Sequence, residues 1–253
     1  MILNINKPLG ITSFDVIRKL KRLYQGQKIG HAGTLDPLAE GVLICLVGKE
    51  FTKRQSEFMG AEKDYEFEVL FGFSTDSFDI LGLVENVVGY DVNLVEANIN
   101  KALENFKGEV DQKAPKFSAL KVSGKPLYRA VLSKTFDSET LPIRKVNIKD
   151  IKMLSSEVIL KKDLKDKILD LLSLIKSGFR QTDIYSKWDE VFGQLDQEQY
   201  LLARFKATVS KGTYIRAIAD DLGQILGVGA CTLTIKRTRV GDFKVEEATL
   251  LEL

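Results

Sequence analysis

A histidine and an aspartate five residues apart lie in one glycine-punctuated segment, residues 30–48, with the sequence GHAGTLDPLAEGVLICLVG. His31 is the only histidine of the 253 residues. Asp36 precedes Pro37, and a residue before proline is displaced into an extended or turn conformation. A carboxylate on a tight loop beside a rigid apolar strand can fix one reactive oxygen in space. A turn-forming aspartate is the simpler interpretation of an isolated Asp-Pro pair.

Arg216 and Tyr65 are two further candidates, each with a simpler structural interpretation. Arg216 stands near the predicted start of a helix, where the helix dipole disfavours a cation. A buried aspartate beside it would compensate, and the arginine would keep that carboxylate ionised. Tyr65 heads a strand of alternating apolar residues, where an ordinary core aromatic is the simpler interpretation.

Short motifs of other chemistries are incomplete in this chain. The GKE sequence at residues 48–50 lacks the upstream glycine of a phosphate-binding loop. Residues 30–33 have GxxG spacing, but that spacing alone is too short to be specific for nucleic acid. The SALK sequence at residues 118–121 matches the SxxK of penicillin-binding enzymes without its companion motifs.

Composition narrows the class of protein. Hydrophobic residues make up 44% and charged residues 28% of the chain, which is ordinary for a soluble globular protein. No apolar run reaches membrane-span length and no secretory signal is visible, so we expect a cytoplasmic protein without a membrane partner. Cys45 and Cys231 lie far apart in apolar settings, which favours buried reduced thiols. The single histidine argues against a Cys/His zinc site.

Three segments rich in lysine and arginine stand out in a chain whose formal net charge is only +2. They are residues 1–28, 111–135 (which includes Lys134) and 236–244. Such segments suit a polyanion track, although solvated lysine-rich faces would have the same composition. The candidate contacts to an RNA backbone are Lys7, Lys19, Lys121, Lys125 and Arg237.

Strand and helix patterns are mixed without a regular βαβ repeat, which predicts an α+β fold. The predicted strands cover residues 41–48, buried on both faces, 65–71, half-buried, and 204–209, with a short strand and turn at 121–124. The predicted helices begin after an N-cap at Thr12 or Ser13, at Val95 and at Tyr214. The expected apolar positions of the first and last helix are Phe14, Val16, Ile17, Leu20, Leu23, Ile215, Ile218, Leu222 and Ile225.

Residues 153–200 differ from the rest because they lack the basic character of the other segments. Their apolar residues at helical spacing are Leu164, Ile168, Leu171, Ile175, Trp188 and Phe192. This pattern predicts a helical insertion between two strands.

Six sequence blocks occur in the same order as in one known family. They are NKPLGITS (6–13), GHAGTLDPLAEGVL (30–43), KDYEF (63–67) with TDSFDILG (75–82), FSALKVSGKPLY (117–128), SKGTYIRAIADDLG (210–223) and KRTRVGDF (236–243). By these blocks the chain resembles the TruB-type tRNA pseudouridine synthases over about residues 2–245, apart from residues 153–200. The resemblance implies one catalytic domain, residues 1–253, with a mixed, largely antiparallel central sheet and flanking helices.

The resemblance also implies a reaction: isomerisation of the uridine at position 55 in the T loop of tRNA to pseudouridine, with no cofactor or metal. The N-glycosidic bond to C1′ breaks, the uracil turns over, and C5 joins C1′. Asp36 matches the family's catalytic aspartate, which could attack C1′ or C6 or abstract the C2′ proton; the sequence does not choose among these. The uracil must first leave its stack.

Five other positions match family residues around the base. Arg216 matches the arginine that pairs with the catalytic carboxylate, and Tyr65 matches the tyrosine that stacks on the base and assists deprotonation at C5. Tyr214 and Ile235 match residues that line the uracil pocket, with isoleucine where leucine is usual. His31 matches the histidine that contacts the T loop.

Many relatives carry a C-terminal PUA domain, and we expect none here because the chain ends about ten residues after Phe243. We expect a monomer that binds the T stem-loop of tRNA without an obligatory protein partner. Two alternatives stay open: a non-catalytic RNA-binding or RNA-folding protein, and a guide-dependent synthase acting on another RNA. The intact Asp36, Tyr65 and Arg216 set disfavours the first, and the short C-terminus disfavours the second.

Overall fold

The computed structural model describes residues 1–122, 124–133, 136, 141–175 and 180–250, and these contain fourteen strands and eight α-helices. The strands are β1 (Ile2–Lys7), β2 (Ile29–Ala32), β3 (Ala39–Val47), β4 (Lys63–Phe71), β5 (Phe73–Thr75), β6 (Val84–Val87), β7 (Gly108–Lys113), β8 (Lys121–Val122), β9 (Lys125–Pro126), β10 (Ile143–Leu160), β11 (Gln199–Val209), β12 (Ala230–Val240), β13 (Phe243–Lys244) and β14 (Thr249–Leu250). The helices are α1 (Ser13–Leu23), α2 (Lys49–Thr52), α3 (Gln55–Gly60), α4 (Val92–Leu103), α5 (Leu127–Leu132), α6 (Lys161–Ser173), α7 (Gln181–Gln194) and α8 (Ile215–Leu226).

Ten of the strands form one sheet that carries the site. Its order is β14-β1-β3-β12-β4-β11-β10-β7, with β2 added to β3 and β13 added to β12. The β1–β14 and β3–β12 pairs are parallel and the other pairs are antiparallel. The predicted α+β fold with a mixed, largely antiparallel sheet is therefore confirmed.

Helices cover both faces of the sheet. Tyr65, Phe67, Val69 and Phe71 of β4 belong to an apolar cluster with α1, α4 and α8. Leu70 of β4 belongs to a second cluster with α6 and α7. The β3 strand is buried on both faces, as its continuous apolar run predicts.

The two helices predicted in most detail have narrower apolar faces than expected. Helix α1 starts at a capping box between Thr12 and Asp15, but its Phe14 and Leu23 are exposed. Phe14 lies about 200° around the helix from the buried Val16, and Leu23 is the last residue of the helix. Ile225 of α8 is also exposed, because it is the last residue but one of the helix and lies beyond the last buried residue, Gly223.

The predicted helical segment at 153–200 is wrong at both ends. Residues 153–160 continue β10, and β11 begins at Gln199, so the two strands pair as far as Leu160 opposite Gln199. Among the described residues between these two strands only α6 and α7 are α-helical, and we call residues 161–175 and 180–194 the helical insertion. Trp188 and Phe192 are buried as predicted, whereas Leu172 is buried in place of Leu171. Among the described residues, no helix is both long and apolar enough to cross a membrane.

Candidate active site

The loop between β2 and β3 holds Asp36 through its backbone. The amide of Gly10 donates to the carbonyl of Pro37 at 2.9 Å, and the amide of Ala39 donates to the carbonyl of Asp36 at 3.0 Å. The buried hydroxyl of Ser13, in the first turn of α1, accepts from the amide of Leu35 at 2.8 Å and donates to its carbonyl at 3.1 Å. Because its backbone is fixed on several sides, the loop gives the Asp36 carboxylate a defined position. That side chain remains 36% exposed.

Arg216, in the first turn of α8, reaches this carboxylate from below the surface. Its side chain is only 3% exposed. Nε donates to Oδ2 of Asp36 at 2.9 Å and Nη2 donates to Oδ1 at 3.2 Å. Nη1 donates to the carbonyl of Ser77 at 2.7 Å, and Nη2 also donates to the carbonyl of Phe117 at 3.1 Å. The carboxylate that the helix dipole argument requires beside Arg216 is therefore present, and it is Asp36.

A second carboxylate, Asp79, lies on the same guanidinium and was not singled out from the sequence. Its Oδ2 is 3.6 Å from Nε of Arg216, and its Oδ1 accepts from the hydroxyl of Ser77 and from the amide of Leu81. Burial raises the pKa of Asp79 to about 6, and Arg216 opposes this shift while the nearby Asp36 adds to it. Burial also opposes the charge on Arg216, but the two carboxylates outweigh it and raise its pKa.

The sequence signal for Asp79 is weak. The TDSFDILG block offers two aspartates among turn-forming residues, where an aspartate commonly stabilises a loop. Nothing in the local spacing shows which of them faces a cation on a helix that is more than a hundred residues away.

Register places Tyr65 and Ile235 on one face of the sheet beside the Asp36 loop. On β12, Ile235 pairs with Phe67 of β4 and with Ala39 of β3, three residues after Asp36. Paired residues share a face and side chains alternate along a strand. Tyr65, two residues from Phe67, is on that same face and is buried.

Tyr214 is the N-cap residue of α8 and is fixed by Gln112 of β7. The Gln112 side-chain oxygen accepts from the amide of Tyr214 at 2.7 Å, and its Nε2 donates to the carbonyl of Tyr214 at 3.1 Å. These two hydrogen bonds hold the start of α8, and with it Arg216, against the sheet. Gln112 is a second residue that the sequence did not single out.

His31 lies on β2 at the edge of the loop. Its Nδ1 is buried and has no hydrogen-bond partner in the described part of the chain, while its carbonyl accepts from Nε2 of Gln55 at 2.7 Å. Burial, and then the charge of Arg237, lower the pKa of His31 below its ordinary value. The ring is therefore neutral at pH 7, which suits a contact to RNA better than a proton donor.

The predicted backbone contacts at Lys7 and Arg237 are wrong because both side chains are buried. Nζ of Lys7 donates to the carbonyls of Pro8 and Ile11 at 2.9 and 2.7 Å. Burial lowers the pKa of Lys7 to about 7, with Asp36 opposing this shift and Arg237 adding to it. Arg237 donates to the carbonyls of Val42 and Gly33 at 2.7 and 3.0 Å. Both cations support the loops around Asp36.

The other three predicted contacts are accessible to a ligand. Lys121 and Lys125 are exposed and Lys19 is half-buried. Lys134 lies outside the described residues. Cys45 and Cys231 are buried free thiols, as predicted. Among the described residues, no cluster of three or more His, Cys, Asp and Glu side chains is placed to hold a metal ion.

Comparison with known proteins places the chain in a family. Residues 21–165 match the model of the TruB family pseudouridylate synthase N-terminal domain. The chain is 35% identical to the tRNA pseudouridine synthase B of Borreliella afzelii over 246 residues, which cover 97% of this chain and 71% of that protein. It is 34% identical to the protein of the same name from Chlamydia pneumoniae over 247 residues, covering 97% and 85%. The chain belongs to the TruB family of pseudouridylate synthases and is an isomerase.

Solved structures share the fold at lower sequence identity. A chain of a Cbf5-Nop10-Gar1 complex superposes with a TM-score of 0.60 at 24% identity, covering 99% of this chain and 52% of that one. A chain of an H/ACA RNP bound to a substrate RNA containing 2′-deoxyuridine superposes with a TM-score of 0.57 at 21% identity, covering 98% and 50%. The chain thus spans about half the length of these solved chains, and the likeness concerns the fold.

Proposed function

We propose that this protein isomerises the uridine at position 55 in the T loop of tRNA to pseudouridine, with Asp36 as the reacting group. The carrying observation is the Asp36–Arg216 ion pair, whose carboxylate is open to solvent on one side and held by a buried guanidinium on the other. The proposal is further supported by the names of the relatives, which are tRNA pseudouridine synthases.

The reaction needs a base that has left its stack. Flipping a base costs a few kcal/mol, and less in a loop than in a duplex. Stacking on an aromatic face recovers about 1–3 kcal/mol per base. Tyr65 is an aromatic residue on the sheet face beside the Asp36 loop, and Ile235 is an apolar residue of the same face.

The isomerisation is intramolecular, so its atoms balance without a co-reactant. The N1–C1′ bond breaks, the uracil rotates, the C5–C1′ bond forms, and the C5 proton leaves while N1 gains a proton. Asp36 attacks C1′ or C6, or removes the C2′ proton to give a glycal that is later reprotonated. Apolar walls at Ile235 and Leu35 exclude water, which keeps the detached uracil from being lost.

Phosphate contacts from the exposed basic residues Lys121 and Lys125, with Lys19, would hold the T stem-loop. We further propose that the protein acts in the cytoplasm as a monomer and without an obligatory protein partner.

The test is incubation of the purified protein with an unmodified tRNA transcript, followed by mapping of pseudouridine at single-nucleotide resolution. The proposal predicts one product, at the T-loop uridine, and none with a transcript whose T loop is deleted. Absence of product at that uridine, or full activity of Asp36→Ala, would refute it. Product at a different uridine would place the site elsewhere in the RNA.

A further inference from the structure

Arg180, the residue before helix α7, joins two loops of the active site. Its Nη1 and Nη2 donate to Oδ2 and Oδ1 of Asp76 at 2.7 and 3.1 Å. Its guanidinium carbon lies 4.3 Å from the centre of the Phe117 ring. A planar guanidinium can donate two hydrogen bonds to a carboxylate with its edge while its face stacks on an aromatic ring. One side chain of the helical insertion therefore contacts both loops.

These loops supply the two backbone oxygens that accept from Arg216. Nη1 of Arg216 donates to the carbonyl of Ser77, the neighbour of Asp76, at 2.7 Å. Nη2 donates to the carbonyl of Phe117 at 3.1 Å. Arg180 thus contacts Asp76, which precedes one of these carbonyls in the chain, and Phe117, which carries the other. A shift of either loop would move Arg216, and Asp36 with it.

Two further contacts join the helical insertion to segments around the site. Nε1 of Trp188 donates to the carbonyl of Ile80 at 3.1 Å, within the loop that carries Asp79. The end of α6 lies against the turn at Gly10, where an added Cβ would meet the carbonyl oxygen of Leu174 at 2.7 Å. This turn is the one whose Gly10 amide supports the Asp36 loop.

We propose that the helical insertion braces the active site, and that Arg180 is a positioning residue which fixes Arg216, and through it Asp36, by holding Asp76 and Phe117. This inference rests on the proposed synthase activity at Asp36. Arg180 bonds to Asp76 and stacks on Phe117, and it acts on the reaction through Arg216. It therefore controls the chemical step and leaves RNA binding unchanged.

The first test is steady-state kinetics of Arg180→Ala and Arg180→Lys on an unmodified tRNA transcript. Displacing a reacting group by about 1 Å costs on the order of 100-fold, so we expect kcat of Arg180→Ala to fall roughly 10- to 100-fold. KM should stay within about twofold, because RNA affinity comes from phosphate contacts elsewhere. Arg180→Lys should be intermediate, since it keeps the charge but loses the fork and the stack. A thermal melt of each variant reports whether it is folded. If Arg180→Ala does not fold, the test relies on Arg180→Lys.

The second test separates positioning from a general loss of stability. If Arg180 acts through Arg216, its removal should matter little once Arg216→Lys has already disturbed the pair, so the two losses should not multiply. The matched control is Lys165→Ala, which removes the 2.6 Å ion pair from Lys165 in α6 to Asp189 in α7. It removes a solvent-exposed ion pair of the same insertion without touching either loop, and because such a pair contributes little to stability, its kcat should equal that of the wild type.

Several results would overturn the inference. These are a wild-type kcat for Arg180→Ala and Arg180→Lys, an equal loss in Lys165→Ala, fully multiplicative losses with Arg216→Lys, or a rise in KM alone. A wild-type protein that makes no pseudouridine in tRNA would instead refute the proposed function, and the inference with it. If the wild type is active and both Arg180→Ala and Arg180→Lys have its kcat, the inference is refuted while the proposed function stands.

Discussion

Asp36 and Arg216 form a two-point ion pair across 180 positions of sequence, with N–O distances of 2.9 and 3.2 Å. The pair is asymmetric: the arginine side chain is 3% exposed and the aspartate side chain 36% exposed. A fork of this kind fixes the plane of the carboxylate as well as its position. Arg216 is therefore the buried base of the site, and the open side of Asp36 is the one that can meet a substrate.

Replacing Asp36 by asparagine should abolish isomerisation while leaving tRNA binding intact. The side chains are nearly the same size, but the amide cannot act as nucleophile or base. Loss of such a group commonly lowers kcat by a factor on the order of 10⁴ or more. Pseudouridine formation under single-turnover conditions measures the loss, and filter binding measures the affinity. Retention of more than a few per cent of the rate would remove Asp36 from its proposed role.

Replacing Arg216 by lysine should lower kcat roughly 100-fold, because an ammonium group cannot reproduce the fork onto Asp36 or the bonds to two carbonyls. The matched control is Arg239→Lys. Arg239 also donates two hydrogen bonds to an aspartate, Asp64, at 2.7 and 2.8 Å, but among the described residues neither side chain bonds to Asp36 or Arg216. A comparable loss of kcat in both variants would show that the effect is general destabilisation.

The location of Asp36 could be foreseen from the sequence, but the network below it could not. A residue before proline at the entry to an apolar strand is a local pattern, and the strand proved buried as predicted. Asp79 and Gln112 act over long separations, so no local spacing reveals their partners. The surface positions predicted for Lys7 and Arg237 were wrong for a related reason. A basic residue within a basic segment is expected at the surface, whereas here both side chains donate hydrogen bonds to buried carbonyls.

The rate should fall as the pH drops through about 6, and Asp79→Asn should remove this ionisation. The pKa of Asp79 is raised to about 6 by burial, so the side chain is charged above that pH and neutral below it. Neutral Asp79 holds Arg216 less strongly. Asp79→Asn mimics the neutral form at every pH, so its rate should be lower at pH 7.5 and flat near pH 6. The profile of kcat/KM against pH for both proteins measures this.

The free energy of unfolding of the same two proteins should depend on pH in the opposite direction to the rate. Between about pH 4 and 6 native Asp79 holds a proton that the unfolded chain has released. The free energy of unfolding of the wild type, relative to Asp79→Asn, should therefore decrease as the pH rises over that range. A parallel pH dependence of unfolding in the two proteins would contradict the raised pKa.

Lys7→Met should remove a pH dependence of stability at alkaline pH. Burial lowers the pKa of Lys7 to about 7 from an ordinary 10.5. Between these values the unfolded chain binds a proton that the native protein lacks, so wild-type stability gains from rising pH by at most about 5 kcal/mol. Urea unfolding at pH 7 to 10 should show this gain in the wild type and in the surface variant Lys19→Met, but not in Lys7→Met.

Charge reversal at the accessible lysines should weaken tRNA binding in a salt-dependent way. Lys125 is exposed on β9, Lys19 is half-buried on α1, and neither touches the Asp36–Arg216 pair. Removing one lysine–phosphate ion pair should reduce the slope of log affinity against log salt by roughly 1.

The slopes of Lys19→Glu and Lys125→Glu, measured from 50 to 200 mM salt, are compared with that of Lys187→Glu. Lys187 is paired with Glu190 on the helical insertion, which lies outside the basic segments, so its reversal should leave the slope unchanged. A wild-type slope in Lys125→Glu would exclude Lys125 from the RNA path, and an equally reduced slope in Lys187→Glu would mean that the three variants report only net charge.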